Sequence, residues 1–201
     1  MQKLLIATAN PGKVTQYRAQ LSDLSVELVT VADLNLGNVE ETGKTFEENV
    51  LLKVRAYHQA SGLPCIGDDG GLEIDALGGE PGVYSRRWKT GDESATDQEL
   101  IDYTIEKMKD VPEGKRSARF KMVMAFADAN GKEYLAEAAA EGFVPLTPSS
   151  VILAYMPFDS VLYIPQFNKI RSELSDEEHN QINQRVQAIQ KLKPIIAKSL
   201  A

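Results

Sequence analysis

One cysteine, Cys65, stands in the 201 residues. An intrachain disulfide is therefore excluded, and a lone thiol in an apolar run fits a reducing compartment. Positive charge is in deficit: 22 Lys and Arg face 29 Asp and Glu, for a formal net charge of −7. That balance excludes a broad electrostatic grip on nucleic acid, which excess Lys and Arg supply. Long apolar runs are missing too; no stretch reaches the roughly 20 residues of a membrane-spanning helix. The first residues carry a strand pattern, without the layout of a secretory signal. The expectation is a cytoplasmic protein with neither nucleic acid nor membrane as partner. No repeat or low-complexity tract is present. What remains is an ordinary globular composition, 43% hydrophobic and 25% charged, in a chain long enough for one medium domain or two packed lobes. A protein of this charge that binds phosphates must gather positive groups or metal locally.

The most informative stretch is Ile66-Gly67-Asp68-Asp69-Gly70-Gly71-Leu72-Glu73. Two carboxylates follow the short apolar run Leu63-Pro64-Cys65-Ile66, and two glycines precede a second strand-like run, Leu72 to Leu77. Acidic side chains at a strand end beside a Gly-Gly step make a hard-cation site, since Mg²⁺ takes one or two carboxylates with water and substrate phosphates. The same four residues also read as a hairpin turn, because Asp and Gly are ordinary turn formers.

Before this stretch, residues 3–8 read as a buried strand. Asn10 then caps a helix with Pro11 in its first turn and Val14, Tyr17, Leu21 and Leu24 on one side. A strand, a small polar loop and a helix N-terminus make a ready anion site. Lys13 is out of place for the helix dipole; it fits if Thr8, Asn10, Lys13 and nearby amides hold an anion, and otherwise it is a solvated lysine. Val26 to Val31 is a second strand. Thr45 and Glu48 form a capping box for a helix with Phe46, Val50, Val54 and Tyr57 along one face, ending near Gly62. Glu41 lies in the loop before it.

After it, Ser94 to Lys109 is helical with a Thr96/Glu99 capping box. Arg119 to Asp128 is a long strand, turned by Asp128-Ala129-Asn130-Gly131 into a returning strand, Glu133 to Ala140. Phe158 to Pro165 reads as a further strand. Ser175 caps a last long helix, which Pro194 kinks or ends. These elements predict an α/β protein: an elongated central mixed sheet flanked by helices, a single domain over 1–201 of two lobes with a cleft between them. Such clefts are favoured by small ligands.

Four motifs in order resemble the inosine triphosphate pyrophosphatase-like family, hydrolases of non-standard purine nucleoside triphosphates. They are Ala7-Thr8-Ala9-Asn10-Pro11-Gly12-Lys13; Glu41-Thr42-Gly43-Lys44-Thr45-Phe46-Glu47-Glu48-Asn49 with Lys53; Asp68-Asp69-Gly70-Gly71-Leu72-Glu73; and Leu77-Gly78-Gly79-Glu80-Pro81-Gly82-Val83-Tyr84-Ser85. The resemblance implies that Thr8, Asn10 and Lys13 grip the triphosphate and that Glu41 and Asp69 hold Mg²⁺. It makes Asp69 the general base, with Asp68 in support. It implies conversion of a nucleoside triphosphate such as ITP, dITP or XTP, with water, to the monophosphate and pyrophosphate. It also implies a homodimer.

The base-recognition half departs from the family pattern. Where members carry Gly-Phe-Gly-Tyr-Asp-Pro, this chain has Tyr155-Met156-Pro157-Phe158-Asp159-Ser160. The family's base-contacting lysine falls on His179, its later Ser-His-Arg on Asn183-Gln184-Arg185, and the serine after its Asp pair on Gly70. Phe158, Asp159, His179, Arg185 and Gly70 are therefore the expected substrate-side residues; the alternative is that Phe158 is core and His179 a solvated helix residue. His179 is a pH-dependent donor, and Gln184 both donates and accepts. Lost hydrogen bonds relax discrimination between bases. Two alternatives stay open: the same reaction on another base, a modified purine or a pyrimidine, and a nucleotide-binding homologue without catalysis.

Overall fold

The computed structural model describes residues 2–200. Strand β1 (Gln2–Ile6) leads into helix α1 (Pro11–Gln20), then β2 (Val26–Thr30), α2 (Phe46–Ser61) and β3 (Cys65–Ile74). Helix α3 (Asp97–Lys107), β4 (Ser117–Ala127) and β5 (Glu133–Phe143) follow. The short strands β6 (Tyr163–Ile164) and β7 (Lys169–Ile170) precede α4 (Asp176–Gln181) and α5 (Gln184–Ser199). Seven strands form one sheet in the order β2-β1-β3-β4-β5-β6-β7. β1 runs parallel to β2 and β3, while β6 is antiparallel to β5 and β7. The sheet is thus mixed and flanked by helices, the α/β architecture expected from the sequence.

Local chemistry explains most boundaries. Asn10 accepts from the amides of Gly12 and Lys13 and starts α1, with Pro11 in the first turn where its missing N–H costs nothing. Thr45 caps α2 through the Glu48 amide, and Gly62 ends it in the left-handed conformation. Thr96 and Glu99 close a full capping box on α3. Asp128 accepts the amides of Asn130 and Lys132 and turns β4 into β5.

The described residues divide into two compact units. The first runs to Asp69, takes in Met122–Ala138 and resumes from Gln184; the second comprises Gly70–Lys121 and Ala139–Asn183. The first has a core of Leu4, Ile6, Tyr17, Leu21, Ile66, Met124, Phe126, Ile189, Leu192 and Ile196. The second is built on Leu72, Ile74, Leu100, Ile101, Met108, Phe158, Val161 and Leu162.

Four sequence expectations change. Asp68 to Gly71 is no turn: β3 runs unbroken through it, so the expected hairpin is a single ten-residue strand. Both carboxylates find partners on helices, which lets acidic residues stay in a strand interior. Glu48 is only half a capping box, since its carboxylate accepts from the Lys44 amide and not from Thr45. Pro157–Val161 is a 3-10 turn with all five residues buried, where alternation would expose every second side chain. Ser175 caps the short α4, not the long helix, and α5 passes through Pro194 with Leu192 and Ile196 buried to either side. That packing compensates for the one hydrogen bond proline cannot donate.

Candidate active site

Successive strand residues point to opposite faces, and this separates the acidic pair. Asp68 lies on the face of Ile66, under α1 and α5. Asp69 lies on the face of Gly67, where an added Cβ would approach Val54 of α2 to 3.1 Å. The neighbouring carboxyls therefore live in different surroundings.

Asp68 is buried, with a side chain 0% exposed. Its Oδ2 accepts from Lys13 Nζ at 2.7 Å and lies 3.4 Å from the Arg185 guanidinium. Its Oδ1 accepts from the Tyr17 hydroxyl at 2.9 Å. Burial alone raises a carboxyl pKa, but the charges of Lys13, Arg185 and Lys53 outweigh it and hold Asp68 well below the usual carboxylate range. Burial, with the Asp68 charge beside it, pushes the Tyr17 hydroxyl up, so it stays a donor.

Asp69 faces α2. Burial raises its pKa, the Lys53 charge opposes this and the Glu41 charge adds to it. Asn49 hydrogen-bonds to its carboxylate. Asn49 Oδ1 also accepts from the Gly43 amide at 2.7 Å, which ties the loop carrying Glu41 to the start of α2. Lys53 Nζ pairs with Glu41 Oε1 at 2.8 Å and donates to the Asp68 carbonyl oxygen at 2.8 Å. A carboxyl above its ordinary pKa is a stronger proton acceptor once ionised. Asp69 has that character and Asp68 has the opposite one.

The first unit thus gathers Lys13, Glu41, Asp68, Asp69 and Arg185. Thr8 and Asn10 lie beside Lys13, and Thr8 Oγ1 accepts from the Asn10 amide at 3.2 Å. The Asn10 side chain takes the Gly12 and Lys13 amides, so those two are not open to an anion. Arg185 holds Gln16 at 2.8 Å with its other terminal nitrogen. Gly70 continues β3 directly after Asp69. Within the second unit, Phe158 is 7% exposed and Asp159 3% exposed. Phe158 packs near Trp88, with ring centres 6.4 Å apart. Asp159 Oδ2 accepts from Arg171 at 2.5 Å, and His179 Nε2 lies 2.7 Å from the same guanidinium. Arg86, with no role evident in sequence, pairs with Asp97 at 2.5 Å.

Sequence reasoning passed over Tyr17, Asn49 and Lys53 as site residues. Tyr17 looked like one more member of an apolar helix face. A signal did exist for the other two: Asn49 and Lys53 share the buried face of α2 with Phe46, Val50, Val54 and Tyr57. Polar groups on an apolar stripe demand buried partners. Cys65 is buried and its thiol is pushed up to about 12 by burial, so it is no nucleophile.

Among the described residues no cluster of three or more His, Cys, Asp or Glu could cage a metal ion. Glu41 and Asp69 nonetheless offer hard carboxylate oxygens, and the Glu41 charge raises the Asp69 pKa, a repulsion that a cation relieves. Two carboxylates completed by water and substrate phosphate suit Mg²⁺ better than a closed protein cage does. The donor set therefore fits a divalent ion that arrives with phosphates.

The chain is similar to known proteins over nearly its whole length. The Ham1 family pattern matches residues 4–195. A dITP/XTP pyrophosphatase of Shigella flexneri is 38% identical over 194 residues, covering 96% of this chain and 96% of that protein. The protein of the same name from Escherichia coli K12 is 37% identical with the same coverage. Among solved structures, a HAM1 protein from Coxiella burnetii superposes with a TM-score of 0.88 at 30% identity, covering 98% of this chain and 100% of that one. The Staphylococcus aureus Ham1 protein gives 0.86 at 29% identity, covering 97% and 98%.

Proposed function

The chain belongs to the Ham1 family, and from that premise we propose that it is a nucleoside triphosphate pyrophosphatase that removes non-standard purine nucleotides. Relatives across nearly the full length are named dITP/XTP pyrophosphatase. The observation that carries the reading is the split acidic pair. Asp68 is held as an ion by Lys13, Tyr17 and Arg185, while Asp69, on the other face of β3, sits beside Glu41, Lys53 and Asn49.

In this reading Asp69 takes the proton of a water attacking the α-phosphorus. Glu41 and Asp69 are the ligands for Mg²⁺, which when bound neutralises phosphate oxygens and lowers the pKa of water. Lys13 bridges Asp68 and the triphosphate, and Thr8 and Asn10 shape the loop around it. Arg185 steadies Asp68 and adds positive charge where an acidic protein otherwise repels phosphate. Catalysis is then mainly positioning and electrostatics, as phosphoryl transfer requires. Phe158, Asp159, His179 and Gly70 serve the base and sugar side. The changed residues there support an altered or relaxed base preference. A homodimer and a cytoplasmic location complete the proposal.

A panel of ribo- and deoxy-triphosphates with Mg²⁺, reading monophosphate and pyrophosphate together, tests it. The expected result is equal release of both products, fastest with ITP, dITP or XTP. Equal turnover of ATP and ITP removes the non-standard purine assignment. Binding without pyrophosphate from any triphosphate removes the catalytic one. Sedimentation showing only a 22.1 kDa species removes the dimer.

A further inference from the structure

Arg171 belongs to none of the sequence motifs, yet it is 7% exposed and both terminal nitrogens of its guanidinium are engaged. It opens the 3-10 turn Arg171–Glu173, and its backbone amide donates to the Leu162 carbonyl at 2.8 Å. One terminal nitrogen donates to Asp159 Oδ2 at 2.5 Å, and the other lies 2.7 Å from His179 Nε2. The guanidinium carbon sits 4.6 Å from the centre of the Phe120 ring. A guanidinium ion carries only donors and does not lose its proton in proteins. His179 Nε2 must therefore accept, which makes the imidazole neutral and puts its proton on Nδ1.

We propose that Arg171 is the positioning residue for base recognition: it fixes His179 as a neutral Nδ1–H donor, so that Asp159, Arg171 and His179 act as one unit reading a carbonyl oxygen on the substrate base. The proposal rests on the assignment of His179 to the base side. Asp159 anchors the guanidinium, the Phe120 ring supports it, and Arg171 sets the tautomer. An imidazolium here would set N–H against N–H and positive charge against positive charge. The charged groups around His179 are Arg171 and Asp159 from two 3-10 turns and Asp176 from its own helix. Burial lowers the His179 pKa and Arg171 lowers it further, against Asp159 and Asp176. The donor consequently keeps one protonation state across neutral pH, where an ordinary histidine begins to titrate.

Nitrogen-15 spectra of the full-length, ligand-free protein test the tautomer directly. There are two histidines, His58 and His179, and His179→Gln assigns their signals. The expected spectrum has a pyridine-like Nε2 and a pyrrole-like Nδ1 at neutral pH, with the ring staying neutral to below the ordinary value of 6.5. A protonated Nε2, or an imidazolium at neutral pH, overturns the proposal.

Kinetics test the consequence. Gln offers an acceptor to Arg171. H179Q is expected to lower kcat/KM at neutral pH, since the amide N–H does not reach the position of Nδ1–H, and to lose the fall at acid pH that titration of His179 causes. H179K places like charge against Arg171 and is expected to raise KM at least about ten-fold, with kcat changed less. The double variant R171M/H179K, which removes the repulsion, is expected to recover most of that loss. R171M alone leaves Asp159 buried without its cation and can fail to fold, so the His179 variants and the spectra carry the decision. An unchanged KM in H179K, or no recovery in the double variant, overturns the proposal. Wild-type protein that releases no pyrophosphate from any triphosphate defeats the functional reading and the assignment to base recognition with it. Active wild-type protein with the wrong tautomer defeats the Arg171 assignment alone.

Discussion

Asp68 and Asp69 are the same side chain one residue apart, and strand geometry alone sends them to different helices. Their substitution should separate two kinds of damage. Asp69→Asn removes the carboxylate proposed as proton acceptor and is expected to lower kcat by about 10²–10⁴-fold, with the unfolding midpoint close to wild type. A variant that turns over normally takes the base role away from Asp69. Asp68→Asn leaves the Lys13 and Arg185 charges without their buried counter-ion. Breaking such an arrangement costs about 3–5 kcal/mol. The folded Asp68 pKa lies below its unfolded value, so its stabilisation is fully present above the ordinary carboxylate range and is lost as pH falls through the folded pKa. Denaturant unfolding should show a stability gap between wild type and D68N that is full at neutral pH and narrows in strong acid. A gap that instead widens on acidification contradicts the ion-pair account.

Helix starts and the β4–β5 turn were legible because their causes are local. Asn10 with Pro11, Thr45, Thr96 with Glu99, and Asp128 through Gly131 each satisfy backbone groups within a few residues. Continuity of β3 was not legible, because what keeps Asp68 in a strand comes from Lys13, Tyr17 and Arg185, 51 to 117 residues away. The run Pro157–Val161 misled for a similar reason: five consecutive buried residues carry no period to read. Two glycines show how packing between elements constrains sequence. A Cβ on Gly43 would fall 2.6 Å from Asn49 Oδ1 and 2.9 Å from the Asn49 backbone nitrogen. Gly43→Ala must push the Glu41 loop off α2 and is expected to raise the Mg²⁺ concentration needed for half-maximal rate. An unchanged Mg²⁺ requirement separates Glu41 from the metal. A Cβ on Gly142 would fall 2.2 Å from the Tyr163 carbonyl oxygen, across the β5–β6 pair. Gly142→Ala should destabilise by about 1–3 kcal/mol or more, read as a lower denaturant midpoint with an unchanged slope.

Across the whole molecule, the residues assigned to phosphate chemistry belong to the first compact unit and those assigned to the base, Phe158, Asp159 and His179, to the second. The motifs legible in the sequence were mostly those proposed for the phosphate side, where phosphoryl transfer demands fixed charge at fixed places. The base side was harder to read, since Arg171 acts through partners at 159 and 179 that no local spacing links. That division yields a kinetic expectation. A residue that works on the phosphates stabilises every triphosphate's transition state alike, so D69N should scale turnover of ITP and ATP by one common factor. Their kcat/KM ratio should then stay within about two-fold of wild type. His179→Ala deletes the donor proposed for the base alone, so it should change that ratio and leave the triphosphate contribution untouched. Combining the two tests independence, because changes at sites without shared partners add in free energy. The expected double variant shows the D69N rate loss and the H179A base ratio together. A base ratio in D69N as altered as in H179A would mean that Asp69 also senses the base, and the separation of tasks would not hold.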